Sequence, residues 1–216
     1  MARPRRSDHK RELLLDLGVE LMRSQGFHHT GLKQLVDKAG VPKGSFYNYF
    51  ATKEDFAAAV VKRYADQFEA ELSELRAAGA SRPGLALRSF FEGLIQRFVD
   101  NDARGGCLVG NLGAELDGDQ PQVSAALRET MESWRETFTD LIERARDRGE
   151  ISASRPPAML ADFLINAWEG SLIRMKVQRS IQPLEECIEF VFDDVLGLSG
   201  PRRRAKPRSR KKATRR

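Results

Sequence analysis

The sequence predicts an all-α protein: an N-terminal helix-turn-helix unit of three helices followed by a helical bundle of about six. Three observations lead there. Apolar residues recur at spacings of three and four along nearly the whole chain. Neither the strict alternation of a half-buried strand nor an internal repeat emerges. Glycine, proline and short polar residues fall where the apolar stripes stop and restart.

Leu14, Leu17 and Leu21 form the first stripe, with Ser7 or Asp8 placed to cap its start and Gly26 to end it. Thr30 then caps a short helix carrying Leu32, Leu35 and Val36, and Gly40-Val41-Pro42 breaks the chain. Pro42 suits the first position of a third helix because no amide donor is needed there, and this helix runs on through Ser45 to Phe50. Thr52 to Asp55 sets a capping threonine three residues before an acid. Phe56, Val60, Tyr64, Phe68, Leu72 and Leu75 follow as the stripe of one long amphipathic helix that ends near Gly79. Ser81 to Gly84 opens another, with Leu87, Phe91, Leu94 and Phe98 on its buried face.

A polar loop over Asn101–Gly106 leads into a short helix from Cys107 to about Leu116, and Asp117 to Pro121 is a turn. Val123, Leu127, Met131, Trp134, Phe138, Leu141 and Ala145 mark a helix of roughly 28 residues, about 40 Å long, ending at Gly149. Pro156-Pro157 restarts the chain. The stretch from Met159 to about Val177 is apolar on more than one face, which predicts contacts on two sides. A last helix carries Leu184, Ile188, Val191, Val195 and Leu198 and stops at Gly200-Pro201.

Net charge is +5 over 216 residues, and it is strongly segregated. Residues 1–53 hold 10 basic and 5 acidic side chains, residues 54–200 hold 16 and 26, and residues 201–216 hold 10 and none. A basic head and a basic tail suit a polyanion, while the acidic body does something else. The tail has no apolar side chain larger than proline and is expected to be solvated and disordered. No apolar run approaches the roughly 18 residues of a membrane span, and the N-terminus lacks the apolar stretch of a signal peptide, so the cytoplasm is the expected location. Two cysteines, Cys107 and Cys187, exclude a disulfide framework. His28 and His29 have no further ligand at metal spacing, and no glycine-rich phosphate loop, catalytic triad or paired-carboxylate motif is present; no metal, no cofactor and no enzymatic activity are expected.

Over Gly40-Val-Pro-Lys-Gly-Ser-Phe-Tyr-Asn-Tyr-Phe-Ala-Thr-Lys-Glu-Asp-Phe56, with Gly26-Phe27, Thr30 and Leu35–Ala39 before it, the sequence resembles the TetR family of bacterial transcriptional regulators. The resemblance is close over about residues 8–56 and rests on helix count and order beyond them. It implies a DNA-binding head (1–53), an effector-binding and dimerising body (54–200), and a homodimer formed by the last two helices.

The residues of the head agree with it independently. Lys43, Ser45, Tyr47, Asn48 and Tyr49 supply donors for phosphates and base edges, and Gly44 allows close approach to the duplex. Phe46 and Phe50 face inward as core. Thr30, at a helix start, and Lys53 are placed to hold phosphates. Arg3, Arg5 and Arg6 form an arm that reaches backbone or minor groove. One head reads only a few base pairs, so a two-fold dimer on a palindrome is expected, with residues 156–178 and 183–198 packing on their symmetry mates.

Gly105-Gly-Cys-Leu-Val-Gly-Asn-Leu-Gly-Ala-Glu-Leu116 resembles the corresponding stretch of a TetR branch with a Gly-Cys-Leu motif, which includes regulators responding to electrophiles, oxidants or small unsaturated acids. Cys107 stands at a helix start, where exposed amides favour a thiolate open to alkylation or oxidation. Three roles stay open for it: covalent sensor, noncovalent pocket lining, or core. Cys187 reads as core. Phe91, Asn111, Trp134, Trp168 and Glu169 are effector-pocket candidates by position, with Gly170 leaving room for a ligand or a backbone. Arg174 either pairs a carboxylate effector or is held by Glu169 or Glu115.

The expected function is that of a ligand-responsive repressor, a homodimer on a palindromic operator released by a small molecule. The alternatives are an activator, a regulator with a noncovalent metabolite ligand, and an architectural protein that binds DNA without sequence preference.

Overall fold

A computed structural model describes residues 6–116 and 120–198, and all regular structure among them is helical. The head holds α1 (Arg6–His29), α2 (Leu32–Ala39) and α3 (Lys43–Tyr47). The long α4 (Lys53–Ala78) follows, then α5 (Pro83–Asp100), α6 (Leu108–Glu115), α7 (Pro121–Asp147), α8 (Pro157–Gln178) and α9 (Gln182–Glu189). None of these helices is long and apolar enough to cross a membrane. The Arg3, Arg5 and Arg6 side chains, the capping side chains expected of Ser7 and Asp8, the turn residues Asp117–Asp119 and the tail 201–216 lie outside the described residues.

Four local expectations change. Gly26 does not end α1 but kinks it: its φ of 82° and ψ of 177° interrupt the helix, which resumes for one turn to His29. Thr30 is not a cap. Gly31 holds that position without a side-chain bond, while the buried Thr30 hydroxyl donates to Gly26 O at 2.6 Å. α3 stops at Tyr47 instead of Phe50, with Pro42 at its N-cap; the amides of Tyr49 and Phe50 both turn back to Phe46 O, at 2.9 and 3.0 Å. The final helix is not uniform either, because α9 widens after Glu189 into a π-helical segment, Phe190–Val195. Apolar spacing cannot distinguish these outcomes, since a kink, a tight turn and a wide turn each preserve the buried face locally.

The expected cap of α4 is present: Thr52 Oγ1 accepts the Asp55 N–H at 3.0 Å. α4 runs between α1 and α7 and carries the core from head to body. Phe56 is buried at its first turn against Phe46 and Phe50, with ring centroids 5.3 and 4.9 Å away. One turn further along the helix, Val60 and Phe56 close on Gly18 of α1 so tightly that a Cβ there would lie about 2.5 Å from Val60 Cγ2. Arg63 fastens the same pair of helices from outside, bonding Glu12 at 2.7 Å and Asp16 at 2.8 Å. α7 and α8 complete the body with Leu141, Ile142, Leu160 and Leu164 buried in the core.

Candidate functional site

Two places in the fold concentrate chemistry. The first is the outer edge of α3. Lys43, Gly44, Tyr47 and Asn48 are exposed, Tyr47 to 53 %, while Phe46 between them is buried. Ser45 and Tyr49 are half-buried at the margin, Tyr49 leaning on Phe50. A five-residue helix spaced this way presents one wet and one dry side, so the candidate contacts Lys43, Gly44, Tyr47 and Asn48 share a surface. Thr30 and Lys53 do not join it with free side chains. The Thr30 hydroxyl is spent on Gly26 O. The Lys53 ammonium donates to Phe27 O at 2.7 Å and lies 4.3 Å from the centroid of the Phe27 ring, where burial lowers its pKa. Both hold the kinked end of α1 against α2 and α4.

The second place is a cavity of about 70 Å³ between α4, α5, α7 and α8, with Gly106 and Cys107 before α6 completing its wall. Phe91, Cys107, Trp134, Trp168 and Glu169, expected to converge, all line it. Asn111 and Arg174 do not. Asn111 points to the head and Arg174 is exposed on the outside of α8, 4.0 Å from Glu186 of α9, so neither Glu169 nor Glu115 is its partner. Gly170 is exposed as well. Tyr64, Phe68 and Phe90 also line the cavity although the sequence singled them out only as periodic core or not at all.

Cys107 is the N-cap of α6, and its Sγ accepts the Gly110 N–H at 3.5 Å. The expected thiolate is nevertheless overturned. Burial, reinforced by the neighbouring Glu169 carboxylate, drives the thiol far above its ordinary pKa and outweighs the helix amides. Burial and the nearby carboxylate thus favour the neutral thiol over the thiolate. Tyr64 is also pushed well up, chiefly by burial. Cys187 is half-buried against the core, as expected.

Glu169 folds over the first turn of α6, where its carboxylate takes the space a Cβ at Gly110 would occupy. Its pKa is raised, mainly by burial, against the opposing effects of the Cys107 thiol and of Lys176. The unfolded chain therefore gives up this proton at lower pH than the folded chain does. The resulting penalty is absent below the ordinary carboxyl range, near pH 4, and complete only above the folded pKa. Glu169→Gln is accordingly expected to raise the melting temperature at about pH 8 and to lose that advantage by about pH 4. Paired thermal melts across this window measure it, and a gain that grows on acidification would contradict the assignment.

α6 connects the two places. Asn111 Nδ2 donates to Arg23 O of α1 at 3.0 Å and its Oδ1 accepts from Lys176 of α8 at 2.7 Å. At the far end of α6, Glu115 Oε2 accepts the His28 N–H at 2.9 Å, and its carboxylate fills the space beside Gly26. A helix of eight residues thus has its N-cap, Cys107, in the cavity wall and its last turn on the kink that precedes α2.

Known families match both the head and the body of the chain. The family described as "Bacterial regulatory proteins, tetR family" matches residues 14–60, and "Tetracyclin repressor-like, C-terminal domain" matches residues 83–191. The chain is similar to the HTH-type transcriptional repressor DhaR of Mycobacterium sp. (strain GP1), at 31% identity over 86% of this chain and 92% of that one. It is similar to the transcriptional regulator AcuR of Cereibacter sphaeroides, at 34% identity over 79% and 78%. Among solved structures, a regulatory protein TetR from Rhodobacter sphaeroides superposes with a TM-score of 0.78 at 32% identity, covering 84% of this chain and 96% of that one.

Proposed function

Because this chain belongs to the TetR family of bacterial transcriptional regulators, and is a regulator rather than an enzyme, we propose that it is a homodimeric repressor of a palindromic operator, released when a small molecule fills the cavity beside α6. The observation that carries this reading is the double attachment of α6. A ligand that pushes on Cys107 or Glu169 shifts the same helix whose Asn111 and Glu115 hold Arg23 and His28. Movement there reorients the turn from Gly26 to Thr30 and with it α2 and α3. The effector then acts by binding one arrangement of the heads better than the other.

In this reading residues 1–53 read DNA, residues 54–200 sense and dimerise, and the protein works in the cytoplasm, where the operator is. Lys43, Gly44, Tyr47 and Asn48 meet the major groove, Ser45 and Tyr49 border it, and Thr30 and Lys53 position the recognition helix. The dimer face is on α8. Met159, Phe163, Ile173 and Val177 are all exposed, Val177 to 80 %, and they follow the three-and-four spacing of a helix-packing seam through Asn166 and Gly170. Phe190, 55 % exposed just after α9, extends that apolar surface.

Footprinting of the DNA upstream of the gene and of its neighbours tests the proposal, with two protected half-sites about one or two helical turns apart as the expected result. Tyr47→Ala should weaken operator binding about 10-fold to 100-fold without lowering the melting temperature. Ile173→Glu should leave a monomer in sedimentation and abolish the two-half-site footprint. Protection independent of sequence would refute the repressor reading in favour of an architectural role.

The neutral, buried thiol supports a noncovalent part for Cys107 in place of the electrophile sensor. Cys107→Ser is therefore expected to retain release by the effector. Release by an activated alkene that disappears in this variant would reinstate the covalent reading.

A further inference from the structure

The proposed effector cavity has an unusual polarity for its size. Its walls are mostly aromatic, with Tyr64, Phe68, Phe91, Trp134 and Trp168 among them, and among the described residues its only acidic lining residue is Glu169. Among the described residues no lysine or arginine lines it. Lys176, the cation felt at Glu169, is bonded instead to Asn111 Oδ1 at 2.7 Å. The Cys107 thiol compensates the carboxylate only as a weak donor.

These features select among ligand classes. Aromatic rings carry negative faces and attract cations, most strongly when desolvated. A partly buried carboxylate, compensated in part by Lys176, adds attraction of the same sign, because a buried charge gains from a nearer counter-charge. The surrounding segment, residues 54–200, with 26 acidic against 16 basic side chains, raises the local concentration of cations and lowers that of anions. A carboxylate or phosphate ligand would meet repulsion from Glu169, which Lys176, its ammonium beside the lining Gly106, offsets in part. The volume of about 70 Å³ suits a compact molecule.

We propose that the cavity takes a compact organic cation, an alkylated ammonium of a few carbons, held by its aromatic walls and by the carboxylate of Glu169. This inference rests on the reading of the cavity as the effector site. Binding of such a cation keeps Glu169 ionised and, where the empty site holds a proton, releases it.

Trp134 and Trp168 both line the cavity, so their fluorescence reports occupancy directly. The full-length protein is titrated with choline, with its uncharged isostere 3,3-dimethylbutan-1-ol, and with acrylate as the anion. Choline is expected to bind at least about tenfold more tightly than the isostere, and Glu169→Gln should remove that preference while the isostere still binds. The isostere or acrylate matching choline in the parent protein would overturn the cation assignment and leave the effector cavity standing. Failure of choline to bind at all would overturn it too. The same titrations are repeated with operator DNA present. Charge-selective binding that leaves operator affinity unchanged would uphold the cation site and refute release of DNA through this cavity.

Discussion

Phe56→Ala should cost about 3–5 kcal/mol of stability, because it removes a buried ring where head and body share a core. Phe56 is 1 % exposed and touches Phe46 and Phe50, the two rings that hold α3 from beneath. Its loss leaves a cavity under the recognition helix and loosens the contact of α4 with Gly18 of α1. The two tryptophans lie in the body, so their emission tracks α5 to α8 independently. The expected result is a head that melts at lower urea concentration than the body, with operator binding lost while the tryptophan transition moves less. Phe56→Leu, which refills most of the volume, should recover all but about 1 kcal/mol. A single, unshifted transition in Phe56→Ala would show that the aromatic cluster is not the hinge of the head.

Gly26→Ala is the second large effect, estimated at roughly 3 kcal/mol from two sources. A φ of 82° with an extended ψ is a conformation that side chains with a Cβ scarcely adopt. The added methyl would also collide with the Glu115 carboxylate, displacing the acceptor of the His28 N–H. Glu115→Ala in the same chain removes the collision but not the backbone strain, so the double variant should recover only part of the loss. Urea denaturation of the three variants separates the contributions. A Gly26→Ala protein within about 0.5 kcal/mol of the parent would mean that the kink is not required. Operator titrations should show a further consequence: with α6 detached from the kink, effector binding changes DNA affinity less than in the parent.

Much of this architecture was legible in the sequence. The stripe from Phe56 to Leu75 gave α4, and the predicted Thr52 cap is observed. The split of residues 46–50 into wet Tyr47 and Asn48 and dry Phe46 and Phe50 followed from spacing. Five effector candidates out of seven line one cavity because helices of known face can pack in few ways. Asn111 and Arg174 were misplaced for the converse reason: a polar side chain on a short or two-sided helix has no periodicity that says which way it points. Tyr64 and Phe68 were legible as buried residues but not as cavity walls, since a stripe does not reveal where packing leaves space.

Charge states were less accessible still. The helix-start position of Cys107 was read correctly, yet the sign of its pKa shift was not. Amides at a helix terminus act over one turn and are visible in the sequence, whereas burial and the approach of Glu169, 62 residues later, exist only in the folded chain. Thr30 and Lys53 changed roles in the same way, each spending its polar group on the carbonyls around Gly26.

By itself the sequence determined the all-helical character, the order of the helices, the helix-turn-helix head and the segregation of charge, all consequences of periodicity and composition over a few neighbouring residues. The tertiary structure alone decided which aromatic side chains line a void, that the surroundings of Cys107 push its thiol pKa up, and that α6 joins this void to the head through Glu115 and His28, 87 residues apart. Those features depend on desolvation and on contacts between distant segments, and both arise only when the chain closes on itself.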